Sequence, residues 1–109
     1  MEINGIVVKG NNVDKNTRCE HYHSERDIIA IKFKCCNTYY PCYQCHDGVA
    51  DHPPIIWSKD EKSTKAILCG RCGTELTINE YTECNSTCPH CHALFNEGCK
   101  THYHLYFEM

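Results

Sequence analysis

Cysteine and histidine are the residues of this sequence that can do chemistry, and their spacing makes them metal ligands. Eleven cysteines and eight histidines stand among 109 residues. The sharpest arrangement is Cys69-Gly-Arg-Cys72-Gly73, followed fifteen residues after Cys72 by Cys88-Pro-His-Cys91. Two residues between cysteines let a tight turn present both sulfurs to one ion, while backbone N–H groups face the thiolates. Gly73 permits the left-handed backbone angle that closes such a turn. Two such knuckles from separate parts of the chain complete a tetrahedral four-sulfur site, and the spacing is that of a zinc ribbon. Two unrelated redox motifs would need a thioredoxin-like βαβ context, which is absent. Iron in the same site is the remaining metal reading, but rubredoxin-like knuckles prefer glycine where His92 stands.

The segment KCCNTYYPCYQCHDGVADH, Lys34 to His52, places ligands back to back twice, at Cys35-Cys36 and Cys45-His46. Neighbouring side chains point to opposite faces of a strand and diverge by about 100° on a helix, so two neighbours seldom share an ion. With Cys19 and His21 upstream, Cys42 between the pairs and His52 after them, the count is eight ligands, enough for two four-coordinate ions. Adjacent ligands are useful when two sites share one segment. Cys42 and Cys45 most simply join Cys19 and His21, leaving His46 and His52 with Cys35 and Cys36. That second group makes two adjacent cysteines share an ion, so exchange of ligands between the two sites stays open.

Few regular elements are needed to position these groups. Ile28 to Cys35 alternates from Ala30 onward and predicts a strand. Ala66-Ile67-Leu68 predicts a short strand leading into Cys69. Thr77 followed three residues later by Glu80 is a capping box, which predicts one or two helical turns carrying Tyr81. His104 to Phe107 reads as a closing strand. The linking stretch DHPPIIWSKDEKSTKA is a connector with Pro53-Pro54 at its start, and Ile55, Ile56 and Trp57 are expected to cover a metal cluster. The fold class is therefore a small metal-stabilised domain: an irregular zinc finger with short β-strands, one or two short helices and a zinc-ribbon-like C-terminal half. Residues 1–18 read as an N-terminal extension. Residues 19–109 read as the domain, divided into a two-zinc subcluster (19–52), the connector (53–66) and the four-cysteine half (67–109).

Composition supports metal over a conventional core. The apolar fraction of 41% includes the cysteines, and the mean hydropathy is −0.54. Cysteine at about a tenth of a short chain signals a covalent or metal scaffold. The start lacks an apolar segment of signal-peptide length, no stretch approaches a membrane span, and an odd cysteine count would strand one thiol. These point to reduced thiols with bound metal and to a cytoplasmic location. The formal charge is −3, and three zinc ions on nine thiolates take it to about −6. Nucleic acid and acidic membrane surfaces are thus poor partners; another protein is the expected partner.

Cys19-Glu-His21-Tyr22, Cys35-Cys36, Tyr40-Pro-Cys42-Tyr-Gln-Cys45-His46-Asp47, His52 and the later pair of CxxC motifs together resemble the CHY-type zinc finger. The resemblance extends from Cys19 to about Phe95. It implies three zinc ions, little regular structure, and as ligands Cys19, His21, Cys35, Cys36, Cys42, Cys45, His46, His52, Cys69, Cys72, Cys88 and Cys91. Some members are ubiquitin ligases with a RING domain after the finger; Met109 leaves no room for one, so ligase activity is not carried over. Glu75 to Tyr81, Phe95 to Cys99 and His102 to Phe107 are similar to short stand-alone fungal members. These serve small Tim proteins in the mitochondrial intermembrane space, and the resemblance implies zinc handling and thiol chemistry in import.

Cys84, Cys99, His102 and His104 are left over. They are enough for a fourth zinc site; the alternatives are a redox-active Cys84/Cys99 pair and plain packing. Catalytic zinc keeps an open position and usually three protein ligands. Every site here can be filled by four, and no nucleophile–base constellation or phosphate-cradling loop appears, so no enzymatic activity is expected. The expected function is structural zinc binding in a protein-interaction module, with a zinc-handling or thiol-redox factor as the alternative.

Overall fold

The computed structural model describes residues 2–3, 5–10, 13–14, 16–19, 25–84, 86–96 and 106–108. In chain order the elements are β1 (Glu2–Ile3), β2 (Ile6–Val7), β3 (Ile29–Phe33), β4 (Thr38–Tyr40), α1 (Tyr43–Val49), a 3₁₀ turn (Lys59–Glu61), β5 (Lys65–Cys69), β6 (Glu75–Thr77) and α2 (Ile78–Glu83). β3 and β5 are two of the three strands predicted from sequence. Ile29, Ile31, Phe33 and the Ala66-Ile67-Leu68 run supply the β-branched and apolar residues that favour a half-buried pleated surface.

These two strands form the centre of an antiparallel sheet in the order β4-β3-β5-β6. Ile29 lies opposite Cys69, Ala30 opposite Leu68 and Ile31 opposite Ile67. That register decides where the ligands go. The first CxxC knuckle begins at the end of β5 beside the start of β3, whereas the Cys35-Cys36 turn follows the far end of β3. One rigid sheet thus separates the four-cysteine cluster from the Cys35-Cys36 turn.

Both faces of the sheet are covered. On one face Ile29, Ile31, Phe33 and Ile67 pack with Tyr40, Trp57, Leu76, Ile78, Tyr81, Phe95 and Phe107. On the other, Ala30, Tyr39 and Leu68 pack with Val8, and Ile3, Ile6 and Val13 close the layer. The β1–β2 hairpin turns through Gly5, whose φ of +84° suits a residue without Cβ. Val8 then bridges to Tyr39, and Lys9 N–H donates to the Tyr39 carbonyl at 2.9 Å. The N-terminal residues are therefore the second apolar layer of the sheet.

The capping box at α2 is present as predicted. Thr77 Oγ1 accepts from the Glu80 N–H at 3.1 Å, and Glu80 Oε1 accepts from the Thr77 N–H at 2.9 Å. Tyr81 on this helix meets Phe95 and Phe107 at ring-centroid distances of 6.0 and 6.4 Å. Trp57 ties the connector down: its Nε1 donates to the Lys32 carbonyl at 2.7 Å. It also pairs with the tail, donating its N–H to Tyr106 O at 2.9 Å and accepting from Glu108 N–H at 2.7 Å. The predicted closing strand is thus an isolated bridge between Trp57 and Phe107; His104 and Leu105 lie outside the described residues. The side chains of Ile55 and Ile56, expected over a metal cluster, are instead 54% and 40% exposed. Residues 53–56 are exposed, and Trp57 after them is buried. No helix among the described residues is long and apolar enough to cross a membrane.

Candidate metal centres

The two CxxC knuckles are built alike. In the first, Gly73 N–H donates to Cys69 O at 2.8 Å and Cys69 N–H donates to Thr74 O at 3.0 Å. In the second, His92 N–H donates to Cys88 O at 2.9 Å and Cys88 N–H donates to Ala93 O at 2.9 Å. The residue after each second cysteine is left-handed, Gly73 at φ +74° and His92 at +63°. Histidine is among the few residues that tolerate this region, which is how the second knuckle closes without glycine.

All four sulfurs lie within 4.8 Å of one another. Cys69 Sγ is 3.8 Å from Cys91 Sγ, and Cys72 Sγ is 3.8 Å from Cys88 Sγ. A zinc–sulfur bond of about 2.3 Å sets the edge of a ZnS₄ tetrahedron at about 3.8 Å; a disulfide would need about 2.05 Å. The sulfurs are spaced for an ion between them. Their acidities show why one is needed. Burial pushes the Cys69 thiol up despite backbone N–H groups of Cys72 and Arg71 directed at it. Burial acts the same way on exposed Cys72, but there the Thr74 hydroxyl and backbone outweigh it and bring the thiol down to about 7. Four neighbouring thiols cannot all ionise unless a cation compensates, and a bound dication reverses that balance.

The back-to-back pairs resolve differently. Cys45 and His46 lie on α1, where consecutive residues diverge by about 100°. Cys45 joins Cys19 and Cys42 in one cluster, while His46 joins Cys35, Cys36 and His52 in another. Cys35 and Cys36 instead occupy the β3–β4 turn, closed by Asn37 N–H donating to Phe33 O at 2.7 Å, with Asn37 at φ +52°. Neither the strand nor the helix rule governs a turn, and here both sulfurs face the same way, 3.9 Å apart.

In this mixed cluster His46 Nε2 lies 3.2 Å from Cys35 Sγ. The imidazole is fully buried, stacked on Phe33 at 4.2 Å and edged by Tyr40 at 5.0 Å. His52 Nδ1 meets the Asp51 carboxylate at 3.1 Å. Its Nε2 is buried and has no hydrogen-bond partner among the described residues. A buried orphan nitrogen facing two thiols fits a metal ligand, with Asp51 fixing the ring from behind. Burial raises the Cys35 thiol, opposed by a backbone hydrogen bond from Ile55. Burial also works against Cys36, but the Thr38 hydroxyl and backbone, with the neighbouring His52 ring, outweigh it and lower the thiol. Ile55 therefore serves this cluster through its backbone.

The third cluster is entirely buried sulfur: Cys19, Cys42 and Cys45. Cys19 Sγ is 3.7 Å from Cys42 Sγ, again a tetrahedral edge. Cys42 is the N-cap of α1, its Sγ accepting from Cys45 N–H at 3.4 Å. The contact with Cys19, followed by burial, raises the Cys42 thiol steeply. His21, the fourth ligand expected here, lies outside the described residues. So do Cys99, His102 and His104. Cys84 stands apart from all three clusters and donates its thiol to Tyr81 O at 3.0 Å, at the end of α2. Sequence reasoning missed the supporting residues Asp51, Phe33 and Thr74. The adjacency of Asp51 to His52 was a usable signal; the stacking of Phe33 on His46 was not.

Comparison with known proteins agrees with this geometry. The CHY zinc finger family matches residues 19–86. Helper of Tim protein 13 of Saccharomyces cerevisiae is 45% identical, over 94% of this chain and 90% of its own length. Helper of Tim protein 13 of Kluyveromyces lactis is 41% identical over 92% and 87%. An uncharacterized protein of Schizosaccharomyces pombe is 41% identical over 93% and 88%. The names of the first two overturn the expected cytoplasmic location. That expectation rested on a missing targeting segment, and an absent segment carries no address. Three cysteine-histidine clusters suited to three zinc ions, inside a span the family matches, make this chain a member of the CHY zinc finger family.

Proposed function

We propose that this chain is a structural zinc protein that recognises another protein and catalyses no reaction of its own. Its three zinc ions would be held by Cys69, Cys72, Cys88 and Cys91; by Cys35, Cys36, His46 and His52; and by Cys19, His21, Cys42 and Cys45. The observation that carries this reading is the sulfur spacing, 3.7 to 3.9 Å in all three clusters. Four ligands per ion leave no open coordination position for catalysis. The names of two relatives suggest that the partner is a Tim protein, and the fungal resemblance suggests the intermembrane space. Zinc supplies fold stability when bound, and this chain's residues supply the recognising surface.

Native mass spectrometry with thiol counting tests the metal assignment: three zinc ions and two free thiols are expected, and any other zinc count refutes it. Titration of a purified small Tim protein with zinc-loaded and chelated chain tests the role. Binding only by the zinc-loaded form is the expected result; equal binding by both refutes a metal-organised surface. A second reading, zinc handling, is favoured by one observation: Cys72, a member of the four-cysteine cluster, is exposed. It predicts that zinc leaves the four-cysteine site for the partner during that titration.

A further inference from the structure

Arg18 precedes Cys19, Arg26 precedes β3, and Arg71 lies inside the first knuckle, yet the fold brings all three to one cavity of about 440 Å³. Its walls are completed by Ile28, Ala93 and Leu94, with Glu25 the one carboxylate among the lining residues. The sequence gives no hint of this, because the basic residues look scattered along the chain.

The first reason to read it as a binding site is charge. The chain carries 14 acidic and 11 basic residues, so three arginines on one cavity form a local exception. Among the described groups, Glu25 lines the cavity and Asp14 lies 3.8 Å from Arg18 Nη1. A second reason is an unmet donor. Arg18 Nε is buried and has no hydrogen-bond partner among the described residues, although the side chain as a whole is 28% exposed. A buried N–H left unmade is costly, and a carboxylate placed on this guanidinium would make a charge-assisted bond. The third is an apolar wall: Leu94 is 52% exposed beside Ala93. Counter-charge for the anionic four-cysteine centre would account for Arg71, which sits between two of its cysteines. Arg18 and Arg26 belong to neither knuckle, so that role does not extend to them.

We propose that this cavity docks a short acidic segment of a partner protein, one carboxylate held by the guanidiniums and a neighbouring aliphatic side chain resting on Leu94. The inference rests on the protein-interaction reading and names the partner's chemistry. A nucleic acid is the poorer occupant: a polyanion would meet the acidic remainder of the surface, whereas this cavity has room for one or two side chains.

The test is fluorescence anisotropy of zinc-loaded chain with labelled acetyl-Glu-Glu-Leu-Glu-Gly-amide, its all-glutamine counterpart, and inorganic phosphate as competitor. The acidic peptide should bind, the glutamine peptide should bind at least about tenfold more weakly, and Arg26→Gln should weaken the acidic peptide by about tenfold. Arg71→Gln is the second variant, and native mass spectrometry must find the same zinc count in whichever variant is used. Equal binding of both peptides, no binding of the acidic one, or displacement by phosphate at concentrations as low as the peptide's own would each overturn the proposal. If the peptide fails while the zinc-loaded chain still captures the small Tim protein, the cavity is excluded and the interaction reading survives. If both fail, the broader reading falls with it.

Discussion

The twin knuckles allow a backbone effect on metal affinity to be isolated at one residue. Gly73 at φ +74° and His92 at φ +63° hold equivalent positions with equivalent hydrogen bonds. An L-residue in this region costs about 1–2 kcal/mol, partly offset by about 0.4–1 kcal/mol because alanine has less freedom to lose from the unfolded chain. Gly73→Ala should therefore weaken the four-cysteine site by about 1 kcal/mol, a roughly fivefold loss of zinc affinity. Gly73→Asn should lose less, since asparagine tolerates the left-handed region, and Gly73→Val should lose the most. His92→Gly runs the experiment backwards: relieved strain and added chain freedom nearly cancel, so the expected change is within about 0.5 kcal/mol. The assay is graded competition with a chromophoric zinc chelator, with cysteine Cβ chemical shifts reporting which site empties. If Gly73→Ala and Gly73→Val held zinc as tightly as the parent, the knuckle geometry would not be what organises the ligands.

Four further outcomes follow from particular contacts. Thr77→Ala removes the α2 cap and should cost about 1 kcal/mol, lowering the thermal midpoint of the zinc-loaded chain by about 4–6 °C. Asp51→Asn leaves the His52 imidazole without its orienting carboxylate and should weaken the mixed site about tenfold, read by the same chelator competition. Tyr39 is driven above the usual tyrosine range first by burial and then by Glu75, whose Oε2 accepts its hydroxyl proton at 2.7 Å. Its folded pKa lies above the unfolded value of about 10, so this contribution is complete below pH 10 and lost as pH rises beyond it; alkaline unfolding monitored by circular dichroism should be flatter in Tyr39→Phe. A Cβ at Gly70 would strike the backbone carbonyl of Asn16, so Gly70→Ala should cost at least about 1–3 kcal/mol in thermal unfolding.

What was legible in the sequence was whatever depends on short-range spacing. Alternation in Ala30 to Lys34 gave β3, Thr77 and Glu80 gave the α2 cap, and the two CxxC motifs gave the ribbon-like half. Helix α1 was not legible for a physical reason. YQCHDGV has no helical apolar period and contains a glycine. Its first turn is instead held from outside, by the Cys42 sulfur on Cys45 N–H and by Tyr106 Oη, which accepts from Tyr43 N–H at 3.0 Å. A cap drawn from sixty-three positions away leaves no local trace. The N-terminal hairpin is hidden likewise, because Ile3, Ile6 and Val8 reveal a purpose only when Ala30 and Leu68 are seen as the other half of their layer. The same limit concealed the turn that lets Cys35 and Cys36 serve one cluster.

The three clusters are joined through one body, and this bears on how the chain must fold. Helix α1 carries Cys45 into one cluster and His46 into the next, so the two cannot be emptied independently without disturbing the same seven-residue element. The turn holding Cys35 and Cys36 continues from β3, and β3 is paired at its other end with Cys69. Asn16 and Thr17 close the remaining gap: both lie against Gly70 of the first knuckle, with Asn16 three residues before Cys19. The apolar layers alone are thin, built from strands of five residues or fewer. Structural zinc binding is worth about 10–16 kcal/mol in small fingers, which exceeds the whole stability of many domains this size. Complete removal of zinc should therefore unfold the chain. A cooperative, native-like thermal transition surviving complete removal of zinc would show instead that the sheet stands without its ions.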